Sequence, residues 1–175
     1  AFGSPGDFRG AKGHVHEGGF HVPGIIRWPG KIKAASTSSE PVNGTDYLPT
    51  LAVLAGAELP SAKPLDGIDV MPALRQGKKL VRKSPMLWWL YHARGGKEVA
   101  MRFGDYKILA NMLPQPKAGE IGGAKPPQGM SIMDFIKQAN LGNFSLYNLA
   151  DDPNETKDLA SSDPERLEKL KRIMI

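Results

Sequence analysis

The chain has 175 residues, a 41% apolar fraction and a formal net charge of +5, with 20 glycines, 15 prolines and no cysteine. That length suits one domain, or one with a small satellite, burying roughly 70% of its unfolded surface. The missing cysteine excludes a disulfide framework, a thiolate nucleophile and a thiolate metal site, and no apolar run approaches the ~20 residues of a membrane span.

Residues 1–21 read as loop. Within them Lys12 opens a run, Lys12-Gly13-His14-Val15-His16-Glu17-Gly18-Gly19-Phe20-His21-Val22-Pro23-Gly24, that crowds three histidines, a carboxylate and four glycines together. Glycines let the backbone approach a ligand closely, and a lysine among them can meet an oxyanion as a compact point charge. Ala1-Phe2-Gly3-Ser4 lacks the charged start and apolar core of a signal peptide, and a chain not beginning with Met fits a processed or partial product. Val22 to Trp28 reads as a short buried strand with Pro23 near its start. Residues 31–44 form a connection. Asp46 is then placed to cap a helix that carries Pro49 in its first turn, Leu48, Leu51, Ala52 and Ala55 at helical spacing, and Gly56 as its stop. This helix is expected to pack on the preceding strand. Residues 57–85, with four prolines at 60, 64, 72 and 85, read as irregular and carry a subdomain boundary.

A β-rich section follows. Met86 to Tyr91 is an apolar run, and Glu98–Phe103 and Tyr106–Ala110 form a hairpin across Gly104-Asp105. Residues 111–130 are rich in Pro and Gly and read as mobile. Ser131 caps a short helix through Ala139, with Ile132, Phe135 and Ile136 on one side. Phe144–Leu149 is a further strand, closed by Asp151-Asp152-Pro153-Asn154. Asp163-Pro164-Glu165 starts a final helix striped by Leu167, Leu170 and Met174. Antiparallel strands with a terminal helix make a small α+β unit.

The charge is uneven. Residues 75–107 hold nine basic residues, including Arg82, Lys97 and Lys107, against Glu98 and Asp105. A nucleic-acid protein can show such a patch, but the Lys78-Lys79 and Arg82-Lys83 pairs read as a solvated loop, and no nucleic-acid or membrane partner is expected.

Six segments, in order, carry a resemblance. Phe8-Arg9-Gly10-Ala11-Lys12-Gly13 with Glu17-Gly18-Gly19, and Val22-Pro23-Gly24-Ile25-Ile26-Arg27-Trp28-Pro29-Gly30, come first. Thr45-Asp46-Tyr47-Leu48-Pro49-Thr50-Leu51, Leu65-Asp66-Gly67-Ile68-Asp69, Gly104-Asp105-Tyr106-Lys107 and Leu146-Tyr147-Asn148-Leu149 with Asp152-Pro153-Asn154-Glu155 follow. Together they resemble the C-terminal half of the formylglycine-dependent sulfatases, the arylsulfatase family of the alkaline-phosphatase-like superfamily. The resemblance implies an α/β fold at the end of a sulfatase domain (residues 1–80), followed by a small α+β subdomain with an antiparallel sheet and C-terminal helix (81–175). The least matched part, 111–143, would be an insertion. It also implies a sulfuric ester hydrolase that uses calcium and a formylglycine made from Cys or Ser, and it matches Lys12 to the lysine that binds the substrate sulfate. His16 stands where the family often has an aromatic residue, and would line the pocket beside His14.

Departures limit what this chain supplies. It contains no Cys-x-Pro-Ser-Arg or Ser-x-Pro-Ser-Arg motif and no Asp-Asn pair ahead of the lysine loop. No cofactor is therefore expected within it, calcium and formylglycine belonging to a full-length enzyme, and the isolated chain is expected to be inactive. The implied partners are a sulfate-ester small molecule or sulfated carbohydrate, and either a missing N-terminal half or a second copy. The implied location is the bacterial periplasm or exterior. A non-catalytic interaction module on a sulfatase-derived scaffold is the alternative, and a related phosphatase or phosphodiesterase a third.

Individual residues admit plainer roles. Lys12 can be a surface lysine. His14 and His16, two apart, can share a metal on an extended segment or be polar loop residues. Glu17 can be a general base or a partner for backbone N–H groups. Arg9 and Arg27 read as structural ion-pair residues, Arg9 adding positive potential near Lys12. His21 and His92 read as structural, and Trp88, Trp89 and Tyr91 as core rather than a carbohydrate platform. Asn43, Asn143 and Asn154 fit the glycosylation pattern, but no glycan is expected.

Overall fold

A computed structural model of the chain describes residues 4–59, 64–89, 96–113 and 126–175. These divide into two compact units: residues up to Val22 join Leu87–Ile175, while Pro23–Met86 form the other. His92, Tyr91 and most of the Pro/Gly-rich stretch 111–130 lie outside the described residues.

The first unit is built on a four-stranded sheet of order β1-β2-β3-β4: β1 (Met86–Trp89), β2 (Val99–Phe103), β3 (Tyr106–Leu113) and β4 (Asn140–Asn148). The β2–β3 hairpin turns at Gly104-Asp105, pairing Phe103 with Tyr106 and Val99 with Ala110. The expected strands are longer than their apolar cores. β3 runs through Asn111 to Leu113, and β4 begins at Asn140, because each pairs with the other beyond an irregularity near residues 109–111.

Helix α4 (Ile132–Gln138) is capped by the Ser131 hydroxyl, which accepts from Asp134 N–H. Helix α5 (Pro164–Met174) is capped by Asp163, which accepts from Arg166 N–H. Both expected caps are present. Period-two alternation then sorts the sheet. Met101, Ile108 and Leu146 pack with Leu170 of α5, and Val99, Ala110 and Met112 with Phe135 of α4. On the opposite face, Ala100, Leu109, Tyr147 and Leu149 meet Val15 from the glycine-rich segment. The segment carrying Lys12 is therefore the cover of one sheet face.

That segment is not all loop. Glu17–Phe20 form a single helical turn, α1, ending where His21 N–H returns to the Glu17 carbonyl. Its two glycines are needed for close approach. A Cβ on Gly18 would lie 2.7 Å from the carbonyls of Arg9 and Gly10, and one on Gly19 would overlap the His14 carbonyl.

The second unit departs further from expectation. Val22–Trp28 is not a strand, and Val22, Ile25 and Ile26 are exposed, Ile25 by 94%. An apolar run becomes a buried strand only where a neighbour supplies the ladder, and no described segment pairs with it. The following helix, α2 (Tyr47–Ala55), accordingly does not bury its apolar side on a preceding strand. Leu48 and Leu51 are exposed, and its buried residues are Pro49 and Thr50.

Its entry also differs. A short 3₁₀ turn (Gly44–Asp46) precedes α2, and Asn43 does the capping, accepting from Thr45 N–H while Asp46 takes Asn43 N–H. Asp46 is fully buried for another purpose: Arg82 grips it through two hydrogen bonds of 2.8 and 2.6 Å, and Ile68 N–H donates to it at 3.0 Å. Gly56 ends α2 at φ 65° as expected. The span 57–85 is not wholly irregular, for Met71–Gln76 form α3 with Pro72 in its first turn and Gly77 as its stop. The signals were present there, with the Asp69 side chain accepting from Met71 N–H at 2.9 Å. Frequent prolines masked them.

Burial opposes ionisation of Asp46, but the Arg82 hydrogen bonds and the N–H groups of Asn43 and Ile68 outweigh it and hold the carboxyl below its ordinary range. Asp46→Ala leaves a nearly buried guanidinium without its carboxylate. Urea unfolding should record a loss of about 3–5 kcal/mol in the Pro23–Met86 unit.

Candidate functional site

The site is the loop from Arg9 to Gly18. It closes on itself where Gly18 N–H donates to the Arg9 carbonyl at 2.8 Å, and tightens where His14 N–H donates to Ala11 O at 2.9 Å. The His14 ring Nδ1 lies 2.9 Å from Ala11 N. Lys12 sits inside this turn, next to Gly13, and is exposed. His14 is half-buried, whereas His16 is buried, its ring centroid 6.4 Å from that of His14.

Both ends of the loop are tied to the sheet. Arg9 donates to the Tyr147 hydroxyl at 3.1 Å and to the Glu155 carbonyl at 3.0 Å, so among the described residues it acts as a hydrogen-bonding anchor. At the other end Lys107 Nζ, completely buried, lies 2.8 Å from Glu17 Oε1 and 2.9 Å from Glu155 Oε1. The second carboxylate oxygen of Glu155 accepts from Glu17 N–H at 2.7 Å. The Phe20 ring caps the ammonium at 4.4 Å and stacks on Trp88 at 4.5 Å. Glu17 thus serves an ammonium rather than the backbone donors expected for it, and His21 Nδ1 lies 3.4 Å from its other oxygen.

Lys107 and Glu155 are the residues that sequence reasoning passed over. Both fall in matched segments, Lys107 within the predicted strand Tyr106–Ala110 and Glu155 just after the turn at Asp151–Asn154, but nothing adjacent to either residue gives it a role in the site. Strand alternation was the usable signal for Lys107, since it shares a face with Leu109 and stands opposite Tyr147 in the β3–β4 register. Glu155 adopts φ 55°, outside the usual range for a residue with a side chain, and it does so fully buried. Arg27, by contrast, is exposed and pairs with no carboxylate among the described residues. Trp89 is 56% exposed, so of the two tryptophans only Trp88 joins the core.

The electrostatics of the loop are positive. Burial, then the charges of Arg9, Lys107, His14 and Lys97, push the His16 imidazole down from 6.5 to about 4. Burial likewise lowers Lys97, with Asp158 opposing and Arg9 adding to the fall, and its ammonium donates to the Asn143 carbonyl. Burial moves Glu155 the other way, up from its ordinary value. The Lys107 charge and hydrogen bond and the Glu17 N–H offset part of that rise, and the Glu17 carboxylate adds to it.

Such a site can hold an anion. It does not fit a metal: among the described residues no three His, Asp or Glu side chains converge as a cation site, so His14 and His16 lack the further ligand that a shared ion would need. Nor does the chain carry the residue from which a formylglycine is made in its motif. No step is derived through either group. Among the described residues no helix is long and apolar enough to cross a membrane.

Comparison with known proteins agrees with this scaffold. The family described as N-sulphoglucosamine sulphohydrolase, C-terminal, matches residues 8–113. Arylsulfatase A of Homo sapiens is 35% identical over 177 residues, covering 99% of this chain and 33% of its own length. N-acetylgalactosamine-6-sulfatase of Sus scrofa is 30% identical, again covering 99% of this chain and 33% of its own. Steryl-sulfatase of Rattus norvegicus is 50% identical over 72 residues, 41% of this chain and 12% of that protein.

Among solved structures, the complex of Ps i-CgsB with k-i-k-neocarrahexaose superposes with a TM-score of 0.66 at 26% identity, covering 95% of this chain and 30% of its own. The PsFucS1 sulfatase from Pseudoalteromonas sp. gives 0.59 at 28%, covering 95% and 32%. A Bacteroides thetaiotaomicron protein from a glycosaminoglycan-metabolising locus shares the fold, with a TM-score of 0.68 at 23% identity, covering 97% and 31%. The chain spans between 12% and 33% of the length of these curated relatives. By its matched segments, its antiparallel sheet and its terminal helix, the chain belongs to the sulfatase family, within the C-terminal portion.

Proposed function

We propose that this chain supplies the sulfate-contacting wall of a sulfuric ester hydrolase, with Lys12 as the residue that meets the substrate sulfate. The observation that carries the reading is the placement of Lys12, exposed, in a closed loop anchored at Arg9 and Glu17. An ammonium there offsets charge on the sulfate oxygens and on the leaving oxygen as the S–O bond breaks. Preorganised charge of this kind is worth a few kcal/mol at a transition state. His14 and His16 stand on the same loop, their ring centroids 6.4 Å apart, and are read as flanking the sulfate. The neutral His16 imidazole contributes a polar wall without a second titrating charge.

The substrate class is a sulfate ester, a sulfated carbohydrate being favoured by the likeness to a protein bound to a neocarrahexaose. Nucleophile and calcium ligands belong to the remainder of a full-length enzyme, and residues 1–80 are read as the end of its catalytic domain, with 81–175 as the smaller subdomain. The exposed Ile25, Leu48 and Leu51 support pairing with that remainder, or with a second copy. An exported bacterial enzyme is our reading of its location, supported by the absence of cysteine and the likeness to the Pseudoalteromonas sulfatase, while the curated relatives it matches are mammalian.

Titrating the pure chain with inorganic sulfate should shift the His14 and His16 ring resonances, and Lys12→Ala should abolish the response. In a full-length sulfatase carrying this segment, Lys12→Ala should lower kcat/KM on the order of a hundredfold or more. An unchanged response would leave the interaction-module reading standing. The isolated chain should turn over no chromogenic aryl sulfate, and sustained hydrolysis would remove the division of labour proposed here.

His16 provides a pH test. Between 6.5 and about 4 the unfolded chain binds a proton at residue 16 that the folded chain does not. Its contribution to stability is therefore complete above 6.5 and lost as pH falls through that window. His16→Gln should flatten the fall of Tm with pH across the same range.

A further inference from the structure

We propose that Lys107 is a positioning residue for the Lys12 loop, acting through Glu17 and Glu155 rather than on any ligand. The inference rests on the reading of Lys12 as the sulfate contact. Lys107 is 0% exposed and lies at the sheet face that the loop covers, so it reaches no substrate itself. Its ammonium joins Glu17, at the C-terminal end of the loop, to Glu155, in the turn after β4, at 2.8 and 2.9 Å.

Glu155 then reaches the loop twice more. Its carboxylate accepts from Glu17 N–H at 2.7 Å, and its carbonyl accepts from Arg9 at 3.0 Å. One residue of the C-terminal turn therefore touches both ends of the lysine loop, and Lys107 holds that residue in place. Left-handed backbone at Glu155 aims carbonyl and carboxylate toward the loop at some conformational cost.

Stability alone is a poor reason for this arrangement. A buried lysine between two carboxylates is commonly matched or bettered by apolar side chains of similar volume. What apolar side chains lack is direction. Two charge-assisted contacts fix the position of Glu17, and hence the chain entering and leaving Lys12, to within a fraction of an ångström.

The test separates direction from stability in the full 175-residue chain. Lys107→Met is the simple variant. The neutral triple variant Glu17→Gln, Lys107→Met and Glu155→Gln removes stranded charges, so it still folds if the single variant does not. Amide hydrogen exchange is read at His14, Glu17 and Gly18, against Leu109 and Ala110 of β3. Loop amides in either variant should exchange about tenfold faster or more while the strand amides keep their protection. The triple variant should also bind inorganic sulfate at least about tenfold more weakly at unchanged Tm. Loop and strand amides rising together, or loop amides unchanged, would overturn the proposal, as would wild-type sulfate affinity in the triple variant where the parent chain binds sulfate. Lys12→Ala keeps the failures apart: with the Glu17–Lys107–Glu155 contacts intact, it should speed loop exchange less than either clamp variant while removing the sulfate response. A chain in which wild type and Lys12→Ala respond alike to sulfate defeats the sulfate reading, and exchange alone then decides the clamp.

Discussion

A single buried ammonium, that of Lys107, joins parts of the chain separated by 90 residues on one side and lying beyond the sheet on the other. Burying that charge is costly, and the cost is met by two carboxylates in contact and an aromatic face above. Each partner is thereby committed. Glu17 must sit at the end of its loop, Glu155 must adopt left-handed backbone, and the β3–β4 register must bring Tyr147 beside Lys107 to receive Arg9. Removing the ammonium would leave two acids facing each other in a dry site. The loop, the sheet and the C-terminal turn are in this sense one structural decision.

Local elements were legible where local chemistry dictates them. The Gly104-Asp105 hairpin, the Ser131 and Asp163 caps and the Gly56 stop each follow from a few adjacent residues, and each is present. Asp46 and Val22–Trp28 show where that legibility ends. A capping residue and a buried anion carry the same letter, and only Arg82, 36 positions away, tells them apart. An apolar run specifies a strand only with a neighbour to complete its ladder. Lys107 falls in a predicted strand, but its burial depends on two acids 90 and 48 positions distant. The matched segments contained all three residues of the clamp. Their order identified the family, whereas their mutual contact needed coordinates.

The two units solve a similar problem with different cations. In the second, Arg82 meets Asp46 with a planar fork and also donates to the Pro41 carbonyl, satisfying several acceptors from one direction. In the first, Lys107 must serve two carboxylates converging from different segments, and a compact ammonium suits that better than a fork. The choice of residue follows the geometry of the acceptors.

Charge also decides what the lysine loop can receive. With both acids ionised, the clamp would place a net negative charge beneath the loop, working against an incoming anion. Burial pushes the Glu155 carboxyl upward, and the Lys107 ammonium between the two acids offsets part of that rise and part of their charge. On the other side of the balance, burial first and then the charges of Arg9, Lys107, His14 and Lys97 oppose a proton on His16. The charged part of that opposition is a positive field, and a positive field attracts an oxyanion. The clamp keeps its charges paired in the interior, and the positive potential at the loop is left for the ligand.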